Sequence, residues 1–277
     1  MGVLNYPVVV TTNSQTSPGF GPVLVGRYFA AQQFLTRLPV PKTTPHAPAD
    51  LAASAAFFPL VGVLVGSIAA GLLWVVRSVA DFPPVVGALV AVSVAVTLTG
   101  FFHEDAFADV CDAFGGYTPE RRREIMRDSR VGSFGATGIG IVMFGELALL
   151  SSLSVPAAVS AIICAHTVGR WASVLLTAAA RYVSDPESLA KPYAEGISLS
   201  VVGFATLTAS AVTVVATNLW WTVGLGIVTV ALVASARWFF ARWLGGITGD
   251  CLGAINKLMQ VLVLCAATHP RFAVRYG

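Results

Sequence analysis

The sequence predicts an all-α fold: a polytopic helical bundle integral to a membrane, with about seven transmembrane helices plus an amphipathic N-terminal helix. Hydrophobic residues make up 56% of the 277 residues, and the mean hydropathy is +0.76. Charged residues make up 11%, against about 25% in ordinary soluble domains. Long uncharged segments alternate with short polar ones. These observations exclude a soluble globular domain.

The N-terminal region predicts a tail and an interfacial helix. Residues 1–19 are polar and turn-rich, which is typical of a disordered tail. Phe20–Val40 is apolar but carries two arginines, so we expect an amphipathic or partly buried helix rather than a clean span. The prolines of Pro39–Pro48 then predict an extended connector.

The first two spans are predicted as a hairpin. No charged residue lies between Asp50 and Arg77, and this segment is long enough to cross a bilayer. Pro59 lies within it and predicts either a kink or the start of a helix. Pro83–Pro84 marks a turn, after which Phe82–Phe102 is expected to return across the membrane.

The C-terminal half predicts the remaining spans. Phe134–Leu150 and Pro156–Ala180 form a predicted hairpin. Gly196–Ala236 carries no charge and is long enough for two spans that turn near Thr217–Asn218. The last apolar segment reaches the length of a span only when it is taken as Cys251–Thr268.

Basic residues predict the orientation. With these spans, the N-terminal region, Arg121–Arg130, Arg181–Lys191 and Arg237–Arg242 all fall on one side. Loops rich in Lys and Arg stay in the cytoplasm. We therefore expect this side to face the cytoplasm and the apolar spans to be in contact with lipid. The few basic residues share their loops with acids and predict no nucleic-acid partner, and the sequence is compatible with a homo-oligomer.

The stretch Phe102–Gly135, FHEDAFADVCDAFGGYTPERRREIMRDSRVGSFG, predicts a metal site. At about 100° per residue, Asp105, Asp109 and Asp112 fall on one helix face, at about 0°, 40° and −20° respectively. Carboxylates on one face repel each other unless a cation neutralises them. Oxygen ligands suit Mg²⁺, Mn²⁺ or Ca²⁺ rather than Zn²⁺. The predicted metal ligands are Glu104, Asp105, Asp109, Asp112 and Asp250.

Two of these assignments have open alternatives. The whole stretch would also suit a solvated loop between two spans. Asp250, on the same predicted side as Asp105, either caps the helix that follows or completes the metal site.

Arginines beside the acids indicate an anion such as phosphate. Histidine ordinarily titrates near neutrality, so His103 suits either a general base or a partner of the acids. A second polar face lies on Pro156–Arg181, where charges at membrane depth would line a groove or bond between helices. The predicted catalytic residues are His103, Arg127, Asp128 and Arg130, and the predicted substrate-binding residues are Arg170, Arg181 and Lys257.

The motif HEDAFADVCDAFGG followed by RRREIMRDSRVGSFG resembles cobalamin synthase (adenosylcobinamide-GDP ribazoletransferase). FLTRLPVP at Phe34–Pro41, FFPLVGVLVG at Phe57–Gly66 and GITGDCLGAINKL at Gly246–Leu258 fit the same resemblance in family order. It implies a single membrane-embedded catalytic domain over residues 20–277, in the bacterial inner (cytoplasmic) membrane, with its active site facing the cytoplasm and Mg²⁺ as its cofactor. It also implies that adenosylcobinamide-GDP is joined to α-ribazole or its 5′-phosphate, with release of GMP, and it favours a functional role for Asp250.

Other membrane proteins also use acidic clusters. CDP-alcohol phosphotransferases carry a DG-x₂-AR pattern that this chain lacks, and prenyltransferases carry a second dense aspartate cluster. A cation transporter could use carboxylates as its transport site. The position of the acids at the end of a span, beside arginines, and the lack of an internal repeat argue against a transporter.

Overall fold

The computed structural model describes residues 20–183, 190–194 and 196–272, so the predicted tail over 1–19 lies outside the described residues. The described residues are helical, apart from turns and an isolated bridge that pairs Tyr182 with Ile247. The α-helices are α1 (Phe20–Leu35), α2 (Pro48–Ser54), α3 (Phe58–Trp74), α4 (Pro84–Thr99), α5 (Phe102–Asp112), α6 (Pro119–Met126), α7 (Ser133–Ser152), α8 (Val155–Ala179), α9 (Lys191–Ala194), α10 (Leu199–Ala216), α11 (Leu219–Trp243) and α12 (Gly249–Ala267).

The helices confirm the predicted membrane bundle. Among the described residues, six helical segments are long and apolar enough to span a membrane, and α4 with α5 makes a seventh as a pair bent by 87°. The first span runs continuously over Pro48–Val79, because a 3₁₀ turn joins α2 to α3 and a π turn extends α3. Pro59 lies in the first turn of α3. Because backbone N–H groups in the first turn have no partner within the helix, the lack of an N–H in proline costs no hydrogen bond there.

Three boundaries differ from the sequence predictions. The first helix ends at Leu35 instead of Val40. The arginine-rich stretch after α5, predicted as a loop, contains the short helix α6, because Thr118 caps the backbone N–H of Arg121 and proline follows at the first helical position. Helix α11 continues to Trp243, so the polar loop predicted from residue 237 begins later.

Helix α8 lies in the interior of the bundle and packs against α3, α10, α11 and α12. A Cβ at Gly62 or Gly66 of α3 would overlap the backbone of α8. A Cβ at Gly169 of α8 would meet Asn256 of α12. Small residues allow helices in lipid to approach this closely. The polar residues of α8 and α12 consequently face protein rather than lipid.

Candidate active site at one end of the bundle

A sharp break separates the acidic helix α5 from α4. Gly100 and Phe101 have φ values of 64° and 62°, in the left-handed region that most residues avoid. A Cβ at Gly100 would also overlap the side chain of Arg37, so glycine is required there. The break turns the chain by 87° and lays α5 across α7 and α12.

Helix α5 packs closely on the first turns of α12. A Cβ at Gly253 of α12 would overlap the Cβ of Ala106 on α5. As a result, the Asp109 carboxylate lies within electrostatic range of three other aspartates, one of them in α12. We call this set the acidic cluster, and it consists of Asp105, Asp109, Asp112 and Asp250.

Asp112 ties the end of α5 to the start of α7. Its carboxylate accepts hydrogen bonds from the backbone N–H groups of Gly132 at 2.7 Å and Gly135 at 2.8 Å. A Cβ on either glycine would overlap this carboxylate. A carboxylate at a helix N-terminus satisfies unpaired N–H groups and complements the helix dipole.

The donor chemistry of the acidic cluster fits Mg²⁺, although the cluster is not a closed metal site. Among the residues that the structure describes, no three His, Cys, Asp or Glu side chains are arranged to hold a metal ion together. Asp105 is exposed and Asp109 is half-buried, so this end of the cluster is open to solvent. Thr248, rather than Asp250, occupies the N-cap position of α12, and its hydroxyl donates to the Asp250 carboxylate at 3.3 Å.

Glu104 lies on the other side of α5 from the acidic cluster. The ammonium group of Lys257 contacts its carboxylate at 2.8 Å and that of Glu146 on α7 at 2.9 Å. The side chain of Lys257 is only 2% exposed. We call Glu104, Lys257 and Glu146 the ion-pair bridge. The residues predicted as a metal ligand and as a substrate-binding lysine therefore bind each other inside the bundle.

His103 continues this polar interior and is 3% exposed. Its Nε2 lies 3.2 Å from Nδ2 of Asn256, and Gln260 donates to Oδ1 of Asn256 at 2.6 Å. A small cavity of about 30 Å³, enough for one or two water molecules, is lined by His103 and the ion-pair bridge. The predicted general base thus faces this internal cavity.

Arg170, predicted to bind substrate, is fully buried in α8. Its Nη1 donates to the carbonyl of His166 at 3.0 Å and lies 3.3 Å from the His166 ring. Within the described part of the chain, its Nε and Nη2 atoms have no hydrogen-bond partner. The polar face predicted on α8 therefore points into the bundle, whereas Arg181 is exposed beyond its end.

Two arginines of α6 dock this helix onto the end of α11. Arg122 donates to the carbonyl of Trp243 at 2.9 Å and lies over its ring, 5.1 Å from the centroid. Arg123 donates to the carbonyl of Leu244. Basic side chains stabilise the last carbonyls of a helix in this way. These two arginines are therefore used within the fold.

The remaining arginines of this stretch, Arg121, Arg127 and Arg130, line an open groove of about 610 Å³ that reaches Asp112 of the acidic cluster. Arg130 donates to Asp128 through two nitrogens, at 2.9 and 2.6 Å. These hydrogen bonds hold the pKa of the exposed Asp128 carboxyl at about 2. We call this the arginine groove, and the residues that matter below are Asp112, Arg121, Arg127, Asp128 and Arg130.

The acidic cluster, the ion-pair bridge and the arginine groove all lie within residues 103–257. A family model described as cobalamin-5-phosphate synthase matches residues 27–268 and so contains all three. The chain belongs to the cobalamin-5-phosphate synthase family. This confirms the resemblance predicted from the sequence motifs.

Several proteins similar to this chain carry the name adenosylcobinamide-GDP ribazoletransferase. The protein from Ralstonia pickettii is 39% identical over 247 residues, covering 85% of this chain and 92% of the relative. Those from Shewanella amazonensis and Vibrio cholerae are each 36% identical over 245 residues, covering 85% of this chain and 92% and 90% of the relatives. No solved structure shows a significant match to the chain.

Three polar residues of the interior are absent from the site predicted from the sequence: Glu146, Asn256 and Gln260. Glu146 is visible as a charge interrupting an apolar span, but the pattern does not show that its partner is Lys257. Asn256 and Gln260 follow the i, i+4 spacing of one helix face. Polar residues at that spacing in an otherwise apolar helix are the signal that could have found them.

Proposed function

We propose that this chain is an adenosylcobinamide-GDP ribazoletransferase. It would join adenosylcobinamide-GDP to α-ribazole, or to α-ribazole 5′-phosphate, giving adenosylcobalamin or its 5′-phosphate and GMP. Family membership over residues 27–268 carries the proposal, because the matched region contains the whole candidate site. The identity of 36–39% to relatives with this name supports it.

The reaction replaces the phosphoanhydride bond of a diphosphate with a phosphate ester bond. A ribose hydroxyl oxygen of the acceptor attacks the phosphorus that carries the cobinamide group. The bond from this phosphorus to the bridging oxygen breaks, and the oxygen leaves on GMP. Such transfers depend mainly on positioning and on neutralising negative charge.

We propose that Mg²⁺ assists the reaction and that Asp105, Asp109 and Asp250 would hold it. When bound, Mg²⁺ would neutralise charge on the diphosphate. Three observations support these ligands: the Asp109 carboxylate lies within electrostatic range of the other two, Asp105 and Asp109 are accessible to solvent, and all three supply oxygen donors. Asp112 is placed to fix the helix geometry around them, since both of its oxygens already accept N–H groups.

The arginine groove would bind the GMP part of the donor. Arg121, Arg127 and Arg130 line it next to the acidic cluster, and guanidinium groups suit phosphate oxygens. Arg130 is held by Asp128 before substrate arrives, so this ion pair orients its guanidinium at the groove. Buried Arg170 would act from within the bundle on the charge of Glu104 rather than on the nucleotide.

A carboxylate of the acidic cluster would take the proton of the attacking hydroxyl. His103 is the weaker candidate because it is enclosed and bonded to Asn256. Asp109 is half-buried at the open end of the cluster, where a hydroxyl group can reach it. General bases must lie within hydrogen-bond reach of the proton that they remove.

We also propose that the protein lies in the bacterial inner membrane with the acidic cluster facing the cytoplasm. The arginine-rich stretch between α5 and α7 supports this orientation through the positive-inside rule. A cytoplasmic site agrees with a donor that is made from a nucleotide. Lipid would surround the apolar outer faces of the bundle.

The test is GMP release by the purified protein in nanodiscs. Adenosylcobinamide-GDP is supplied with or without α-ribazole, and with or without Mg²⁺. We expect release only when both acceptor and metal are present. Release without Mg²⁺ would overturn the metal proposal. No release from folded protein, with either α-ribazole or α-ribazole 5′-phosphate as the acceptor, would overturn the proposed reaction and would favour lipid-linked diphosphate donors.

A further inference from the structure

One buried ammonium group joins three helices directly beneath the acidic cluster. Lys257 of α12 lies between Glu104 of α5 and Glu146 of α7, at 2.8 and 2.9 Å. The three side chains are 2%, 10% and 5% exposed. We infer that the ion-pair bridge is a positioning device, which fixes α5 so that its aspartates face Asp250; this inference rests on the proposed function.

The geometry explains why α5 needs such a device. Glu104 is adjacent in sequence to Asp105 and lies about 140° around the helix from Asp109. A roll of α5 by about 20° would move carboxylates 5–6 Å from its axis by about 2 Å. Misplacement of a reacting group by about 1 Å can lower a rate about 100-fold. The ion-pair bridge prevents this roll because Glu104 is bound on the opposite side of the helix.

The charges of the interior support the same conclusion. Lys257 alone cannot neutralise two carboxylates, but Arg170 of α8 lies within electrostatic range of Glu104. Two negative and two positive groups thus balance inside the bundle. Buried ions are stable only when they are paired, and loss of one partner leaves an uncompensated charge. An ammonium group already bound by two carboxylates is also poorly suited to hold a substrate phosphate.

A charge swap separates positioning from direct substrate contact. Lys257→Met removes the ammonium group, whereas Glu146→Lys combined with Lys257→Glu keeps one ammonium and two carboxylates but moves the ammonium to α7. We expect Lys257→Met to lower the kcat of GMP release at least 100-fold and to raise the half-saturating Mg²⁺ concentration. The swap should restore kcat to within about tenfold of the unmodified protein.

Arg77→Met is the matched control, because Arg77 donates to the carbonyl of Leu153 away from the site. We expect its kinetics to equal those of the unmodified protein. A charge-swapped protein with unchanged melting temperature but the activity of Lys257→Met would overturn the inference, because Lys257 itself would then be required. Full activity of Lys257→Met would overturn it as well.

A second measurement needs neither substrate nor activity. A Cβ at Gly138 of α7 would lie 3.1 Å from the Cβ of Cys111 of α5 and would overlap its Sγ, slightly inside the roughly 3.5–4.5 Å that separates the Cβ atoms of a disulfide, so a small outward shift of the two helices is needed to form the bond. In a Gly138→Cys protein that keeps Cys111 and has alanine in place of the remaining cysteines, oxidation should rapidly form a disulfide between α5 and α7. We expect Lys257→Met to slow the formation of this disulfide at least tenfold. An unchanged rate of disulfide formation would overturn the inference. If the unmodified protein releases no GMP, the proposed function fails while this measurement still decides whether the ion-pair bridge fixes α5.

Discussion

Gly253 of α12 lies directly against Ala106 of α5, and the space between them excludes even a methyl group. This contact brings Asp250, one turn earlier in α12, to the aspartates of α5. The proposed site therefore depends on a glycine that carries no chemistry. Its substitution tests whether the two helices must touch.

We expect Gly253→Val to separate α5 from α12 and to abolish most GMP release. Overpacking of this kind typically lowers the free energy of unfolding by about 1–3 kcal/mol. Melting temperature and activity are measured in the same nanodisc preparation. Gly224→Val in α11 is the control, since a Cβ there meets no atom within 4 Å. Equal activity of the two variants would show that the contact is dispensable.

Asp109→Asn should remove turnover while leaving the protein folded in the membrane. The amide has nearly the shape of the carboxylate but lacks its charge, so both metal binding and proton removal are weakened. The measurements are GMP release and the Mg²⁺ concentration at half-saturation. Glu120→Gln, an exposed acid of α6 paired with Arg123, is the control. Activity of Asp109→Asn within threefold of the unmodified protein would contradict its assignment.

Asp112 is expected to behave differently, because it caps α7. Asp112→Ala removes the acceptor for two N–H groups and should lower the free energy of unfolding by about 1–2 kcal/mol. Asp112→Asn keeps one acceptor oxygen and should recover about half of that loss. Thermal unfolding of the two variants provides the comparison. Equal stability of the alanine variant and the unmodified protein would argue against a capping role.

The pH dependence of the reaction should not originate from Asp128. Hydrogen bonds from Arg130 lower the pKa of its carboxyl to about 2, so the group stays ionised at every pH above about 4. Any contribution of this ion pair to stability is lost only as the pH falls towards 2. We expect Asp128→Asn to leave the shape of the kcat/KM profile unchanged between pH 5 and 8. A limb of the profile that disappears in this variant would restore Asp128 as an acid–base group.

Arg130→Gln should mainly weaken binding of the nucleotide donor. We expect KM for adenosylcobinamide-GDP to rise about tenfold, a loss of about 1.4 kcal/mol, with a smaller change in kcat. The dependence of KM on salt should also weaken, since one exposed charge is removed. Arg242→Gln is the control, because Arg242 lies over the ring of Trp238 rather than in the arginine groove. Similar KM values for the two variants would exclude Arg130 from the donor site.

The sequence predicts the helical bundle and suggests the metal site, but it does not predict the contacts between the buried polar residues. Hydropathy locates the spans because each must bury its backbone in lipid, and the spacing of the α5 aspartates shows that they share a face. Periodicity places Glu104 away from Asp109 on α5, but it cannot reveal that Lys257 is the partner of Glu104, since that depends on which helices pack together. The same limit applies to Arg170, whose depth was predictable but whose complete burial was not.

The ion-pair bridge also has a consequence for biosynthesis. His103 and Asn256, which pair beside it, are separated by 153 residues. At about 5–20 residues per second, a ribosome needs roughly 8–30 s to make the chain between them. In the later part of that interval, once Glu146 has been made, Glu104 and Glu146 are in or near the bilayer while their lysine has not been made. Chains that end before α12 should therefore be substrates for membrane quality-control proteases, and the last span completes the protein as well as its site.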